Sequence, residues 1–91
     1  MVTRRCVARG RVQGVAFRYY VLRHAGELGV RGTVRNRPDG TVEAILQAET
    51  PEAVEALIER IRKGPRGARV ESVDVEPVQD ATRYEEFDIV G

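Results

Sequence analysis

The residues best suited to chemistry lie close together, in the stretch Gly10-Arg11-Val12-Gln13-Gly14-Val15-Ala16-Phe17-Arg18. An apolar segment, Cys6, Val7 and Ala8, runs into this glycine-punctuated turn, and an amphipathic helical pattern follows at once. A helix start carries four backbone N–H groups without intrahelical partners and a partial positive charge, which together attract anions. Glycine lets the backbone approach a ligand closely, and the guanidinium of Arg18 adds a bidentate fork matched to phosphate oxygens. A first-turn arginine opposes the helix dipole at a cost of roughly a few tenths of a kcal/mol, and a bound anion supplies the reason to keep it. The stretch reads as a phosphate cradle formed by the amides of Gln13, Gly14, Val15, Ala16, Phe17 and Arg18. For Gln13 a backbone role is favoured over a side-chain one. Gly14 would also be needed by any tight strand-to-helix turn.

Other chemistry-bearing side chains are sparse. His24 falls about 9 Å along the helix axis from Arg18, too far for direct proton transfer, and reads as a surface or half-buried histidine. Cys6, on an apolar strand, reads as a small buried residue. A single cysteine excludes an internal disulfide and any Cys-x-x-Cys site. No His, Cys or Asp cluster has metal-ligand spacing, so no metal or cofactor is expected. Tyr19 and Tyr20 are read as packing over the helix start, with one of them a candidate for the acyl side of a site. Asn36, judged alone, is a strand-end or turn asparagine.

The elements that must position these residues are legible from pattern. A first strand is expected over 4–11 and a helix over 17–28, with apolar positions at Phe17, Val21, Ala25 and Leu28 and Gly29 as an αL cap. A second strand over 30–36 puts Val30, Val34 and Asn36 on one side. Arg37-Pro38-Asp39-Gly40 is a turn, and a third strand over 41–48 places Val42, Ala44 and Leu46 on one face. Thr50 caps a second helix with Pro51 at its first position; its buried stripe is Val54, Leu57, Ile58 and Ile61, and Gly64-Pro65 ends it. A fourth strand over 69–76 has Val70 out of phase with Val73 and Val75, which predicts a bulge or a late strand start. Its acidic residues, Glu71 to Glu76, read as a solvated face. A short fifth strand over 84–90 turns Phe87 and Ile89 inward. The order βαββαβ plus a final strand predicts an α+β, ferredoxin-like sandwich: an antiparallel sheet with two helices on one face.

Composition narrows the function classes. Ninety-one residues make one domain, 1–91, small but within the range that folds alone. With 15 Lys+Arg against 14 Asp+Glu the net charge is +1, too small for general attraction to nucleic acid or a membrane surface. No stretch approaches the roughly 18 apolar residues of a membrane span, and the N-terminus lacks the apolar region of a signal peptide. A cytoplasmic, reduced setting is the expectation. Lys63 is the only lysine among the basic residues. GC-rich coding explains that more simply than thermal adaptation.

Two segments together carry a resemblance. The first, Ala8-Arg9-Gly10-Arg11-Val12-Gln13-Gly14-Val15-Ala16-Phe17-Arg18, matches a pattern aliphatic-x-Gly-x-Val-Gln-Gly-Val-x-Phe-Arg, with the aliphatic reduced to Ala8. The second, Gly32-Thr33-Val34-Arg35-Asn36 continuing to Gly40 and Val42, matches Gly-aromatic-Val-basic-Asn-x-x-x-Gly-x-Val, with Thr33 in place of the aromatic. Ala48 stands where a glycine is usual. The chain thus resembles the acylphosphatases over essentially its whole length. The resemblance implies hydrolysis of the carboxyl–phosphate bond of a small acyl phosphate, without cofactor, by direct attack of water. It implies Arg18 and Asn36 as the catalytic residues. The chemistry accords: an acyl phosphate already has a good leaving group, so the protein must bind the dianion, orient a water and stabilise the equatorial oxygens. Arg18 and the amides suit the first and third tasks. Asn36, able both to donate and to accept, suits the water.

Competing classes do less well. A non-catalytic ferredoxin-like module binding an anion or other ligand is the alternative, since fold alone does not settle function. An RNA-binding version needs aromatics on its middle strands, and the third strand has none. A metallochaperone needs paired cysteines. Acylphosphatase-like domains also occur fused to a hydrogenase-maturation carbamoyltransferase; the end of this chain at Gly91 without a linker favours a freestanding enzyme. A monomer is expected.

Overall fold

The computed structural model describes residues 1–79 and 82–91. Its elements are β1 (Val2–Arg11), α1 (Phe17–Leu28), β2 (Arg31–Asn36), β3 (Val42–Ala48), α2 (Pro51–Lys63), β4 (Arg69–Pro77) and β5 (Phe87–Ile89). The sheet order is β4-β1-β3-β2-β5. Both helices cover one face, where Cys6, Ala8, Val34, Val42, Ala44 and Leu46 meet Phe17, Val21, Ala25, Val54, Leu57, Ile58 and Ile61. Each large apolar side chain fully buried there contributes about 1.5–3 kcal/mol relative to exposure.

The helices end where their sequences direct. Gly29 closes α1 at φ 71°, ψ 28°, a conformation that only glycine adopts cheaply. Thr50 accepts a hydrogen bond from the Ala53 amide at the start of α2, and Arg60, Arg62 and Lys63 sit at its negative end. The expected bulge in β4 lies at Glu71: Arg9 pairs with Ser72 and Gly10 with Val70, leaving that residue unpaired. Gly10 and Gly32 permit close strand approach. A Cβ would lie 2.2 Å from the Arg69 carbonyl oxygen at Gly10 and 1.7 Å from that of Ile45 at Gly32.

Three features depart from the sequence-based expectation. The sheet is mixed rather than wholly antiparallel, because β5 runs parallel to β2. The segment after β4 starts beside Thr3, whose carbonyl accepts from the Val78 amide, and reaches the opposite edge, where the Gly32 amide donates to Glu86. A chain entering from the end where β2 also begins must run in the same direction. Gln47, fully buried, holds this crossing in place. Its amide donates to Thr3 Oγ1 and the Thr82 carbonyl, and its Oε1 accepts from the Tyr84 amide. The final strand is accordingly shorter than expected, since Tyr84 belongs to the crossing. On the same open face the acidic residues of β4 are not merely solvated: Asp74 pairs with Arg9 and Glu76 with Arg5. Arg5 and Arg35 both reach Glu43, at 2.6 and 2.8 Å. Burial raises the Glu43 carboxyl pKa, but these two guanidinium hydrogen bonds outweigh it and hold the group below its ordinary value.

The helices also meet through polar groups. The Tyr20 hydroxyl donates to the Arg60 carbonyl at 2.7 Å, and the Tyr20 and His24 rings lie 4.2 Å apart. Arg60 Nη1 donates both to His24 Nδ1 and to Glu27, each at 2.7 Å. Arginine only donates, so Nδ1 must be an unprotonated acceptor. Burial chiefly, with Arg60 and Arg23 adding to it against the opposing Glu27, lowers the imidazole pKa from its ordinary 6.5. The unfolded chain therefore takes up this proton before the folded one. The stabilising contribution is complete above 6.5 and is lost as the pH falls through the lower folded-state value. Because His24 is the sole histidine, and histidine is the side chain whose ordinary pKa falls in this range, melting temperature should decline as the pH falls below about 6.5. His24→Gln, whose amide oxygen can still accept from Arg60, should flatten that decline. Equal pH dependence of the two melts would refute the assignment.

Candidate active site

β1 delivers the chain into the loop through Val12, which is buried in the core and anchors the near side of the turn. Gly14 then takes φ 74° and Ala16 φ 58°. No atom lies near a Cβ built at Gly14, so the backbone angle rather than space selects glycine there. Ala16 is the only non-glycine with positive φ among the described residues, a conformation that costs of order 1–3 kcal/mol and concentrates at functional sites. It is also the N-cap of α1, and an alanine offers no side-chain oxygen to the helix amides. The first helical hydrogen bond runs from the Tyr20 amide to the Ala16 carbonyl at 3.1 Å. No acidic side chain occupies the first turn. The amides of residues 17–19 thus start the helix uncapped, with the dipole uncompensated.

Phe17 fixes the far side of the turn. It is 2% exposed and packs over Gly64, where a Cβ would come 3.4 Å from the ring and 3.0 Å from Val70. With Phe17 held, Arg18 projects from the helix start. Its guanidinium makes no hydrogen bond or ion pair among the described residues.

Asn36 arrives from a different part of the chain. In one row of the sheet Val73 pairs with Ala8, Ala8 with Val42, and Val42 with Asn36. The last residue of β2 therefore lies at the same end of the sheet as the loop that follows β1. Its Oδ1 is buried and has no hydrogen-bond partner among the described residues. An orphaned buried acceptor costs about 1–3 kcal/mol and calls for an explanation. Beyond it, the Gly40 amide donates to the Arg37 carbonyl, and Asp39 Oδ1 accepts from both the amide and the hydroxyl of Thr41.

These residues enclose a cavity of about 240 Å3 lined by Val12, Gly14, Ala16, Phe17, Arg18, Tyr19 and Asn36. Of the residues expected at the site, Gly14, Ala16, Phe17, Arg18 and Asn36 line it, while Gln13 and Val15 do not. The Gln13 side chain works as a staple: Nε2 donates to the carbonyls of Arg37 at 2.8 Å and Thr41 at 2.9 Å. It ties the cradle to the turn after Asn36 across more than twenty residues, and no local pattern announces that contact. Tyr19, expected together with Tyr20 to pack over the helix start or to face an acyl group, also lines the cavity.

A larger depression, about 310 Å3, lies on the open sheet face among Arg5, Val7, Arg9, Arg37, Asp74, Val75 and Glu76. Its arginines already face carboxylates, with Arg37 3.6 Å from Asp39, so it offers an anion far less than the cradle does. Cys6 is buried, which pushes its thiol to about 12 and removes it as a nucleophile. Among the described residues no three His, Cys, Asp or Glu side chains gather as a metal would require.

The chain matches a family model, acylphosphatase, over residues 4–89. It is 53% identical over 77 residues to an acylphosphatase of Nitrobacter hamburgensis, covering 85% of this chain and 77% of that one. The crystal structure of acylphosphatase from Bacillus subtilis superposes with a TM-score of 0.95 at 32% identity, covering all of both chains. Thermococcus kodakarensis HypF (TM-score 0.87, 29% identity) matches all of this chain with 12% of its own length. With the family model spanning residues 4–89 and a relative 53% identical over most of both chains, the chain belongs to the acylphosphatase family.

Proposed function

We propose that this chain hydrolyses small acyl phosphates by direct attack of water, with Arg18 and Asn36 as the catalytic residues. The observation that carries this reading is the meeting, in one cavity, of uncapped amides with a guanidinium and a buried amide oxygen that have no partner among the described residues. The phosphoryl group sits on the amides of residues 13–18 and the fork of Arg18. Asn36 accepts from a water and aims it at phosphorus. As the O–P bond forms, the bond from phosphorus to the acyl oxygen breaks and its electron pair leaves on the carboxylate. One proton of the water passes to a phosphate oxygen, giving a carboxylate and dihydrogen phosphate. Because a carboxylate leaves readily, no general acid is needed, and the protein acts through positioning and charge.

The αL alanine and the bare helix end make sense together here, since the strain holds open donors that a capping residue would have consumed. A non-catalytic anion-binding module would use Arg18 and the amides equally, but would leave the oxygen of Asn36 idle. We further propose that the chain acts as a single domain and a monomer in the cytoplasm, with no nucleic-acid or membrane partner. No helix among the described residues is long and apolar enough to cross a membrane.

Hydrolysis of acetyl, benzoyl and carbamoyl phosphate should proceed undiminished with excess chelator; activity lost to the chelator and restored by a divalent metal would overturn the metal-free mechanism. Arg18→Gln should keep its fold by circular dichroism, lose inorganic phosphate affinity in calorimetry and drop kcat at least about 10²–10³-fold, the usual loss for a preorganised donor. Arg18→Lys should do nearly the same, because an ammonium cannot supply the fork. Asn36→Ala should lower kcat while phosphate affinity changes little. A variant that binds phosphate poorly yet turns over normally would reassign Asn36 to binding.

A further inference from the structure

The phosphate cavity adjoins a second depression along α1. This groove, about 260 Å3, is lined by Ala16, Tyr19, Tyr20, Arg23 and Pro65, so Ala16 and Tyr19 border both spaces. Its surface is mostly apolar although it opens to solvent. The two tyrosines differ in kind. Tyr20 is pinned, its hydroxyl on the Arg60 carbonyl and its ring between Phe17 and His24. Tyr19 is 66% exposed and makes no hydrogen bond or ring contact among the described residues. A lone exposed aromatic is unremarkable on a surface, but this one forms the lip between two adjoining cavities.

We propose that the groove seats the acyl group of the substrate, and that Tyr19 makes the protein prefer acyl phosphates with a flat aromatic acyl part. The proposal rests on the hydrolysis described above and adds its specificity. In-line displacement sends the leaving carboxylate out opposite the attacking water. Asn36, the proposed anchor of that water, lines the phosphate cavity but not the groove, so the groove is the neighbouring space on the leaving-group side. Tyr19, Tyr20 and Pro65 give it flat walls, and the rigid Tyr20 keeps its shape. Its volume lies below that of ordinary ligand pockets, which suits one ring rather than a long chain. The open-face depression, crowded with paired charges, has no comparable surface for an apolar acyl group.

Steady-state kinetics with benzoyl phosphate and acetyl phosphate test this. In Tyr19→Ala the ratio of kcat/KM for benzoyl over acetyl phosphate should fall about three- to tenfold, the range one aromatic contact commands, and the fall should appear mainly in KM for benzoyl phosphate. Tyr19→Phe should restore the ratio, since the ring rather than the hydroxyl does the selecting. A ratio unchanged in Tyr19→Ala, or one that Phe fails to restore, overturns the subsite while leaving the hydrolysis standing. Failure of the unmodified protein to turn over either compound overturns the hydrolysis itself.

Discussion

The structure depends on a helix that begins without a cap. Helix α2 shows the ordinary solution: Thr50 supplies an oxygen to the Ala53 amide, and proline and an acid occupy the first turn. Helix α1 does the opposite, with Ala16 at the N-cap in a left-handed conformation, no side-chain oxygen, no first-turn acid, and Arg18 adding positive charge where the dipole is already positive. Each choice is locally unfavourable. Together they leave a concentrated positive site, which an anion with several oxygens can satisfy at once.

Holding that arrangement open falls to the surrounding fold. Val12 and Phe17 are buried on either side of the loop, so the segment between them cannot relax without pulling apolar surface into water. Gly64, at φ 71° and buried, leaves room beneath the Phe17 ring for the chain that leaves α2. The Gln13 amide binds the loop to the β2–β3 turn, so cradle and Asn36 are fixed relative to each other by two short hydrogen bonds as well as by strand register. Far from the site, at the opposite end of the sheet, Gln47 uses both its donor and its acceptor capacity to hold the crossing to β5. Two glutamines, Gln47 buried and Gln13 half-buried, thus fasten the two irregular parts of the backbone.

Charge is distributed in the same spirit. On the open face the arginines of β1 and β2 meet carboxylates of β3 and β4. Such partly exposed pairs contribute about 0–1 kcal/mol each. Their larger effect is to neutralise the arginines around the open-face depression. In a chain of net charge +1, its place at an uncapped helix start, rather than charge alone, sets Arg18 apart.

Much of this was written in the local sequence. Period-3.6 stripes marked both helices, alternation marked the strands, and Gly29, Thr50-Pro51 and Gly64 marked their ends, because propensity, capping and amphipathic burial act over a few residues. The misplaced valine of β4 disclosed its bulge for the same reason. The glycine-rich run before Phe17 marked the start of a helix whose first amides are left uncapped, since orphan donors belong to any helix end. What local pattern could not contain was decided by tertiary pairing: the direction of β5, the staple from Gln13, the clamp from Gln47, and the difference between a pinned Tyr20 and a free Tyr19. Asn36 is the clearest case. Its chemistry is that of any asparagine, and only the register of three strands carries it to the mouth of the first helix with its oxygen unpaired.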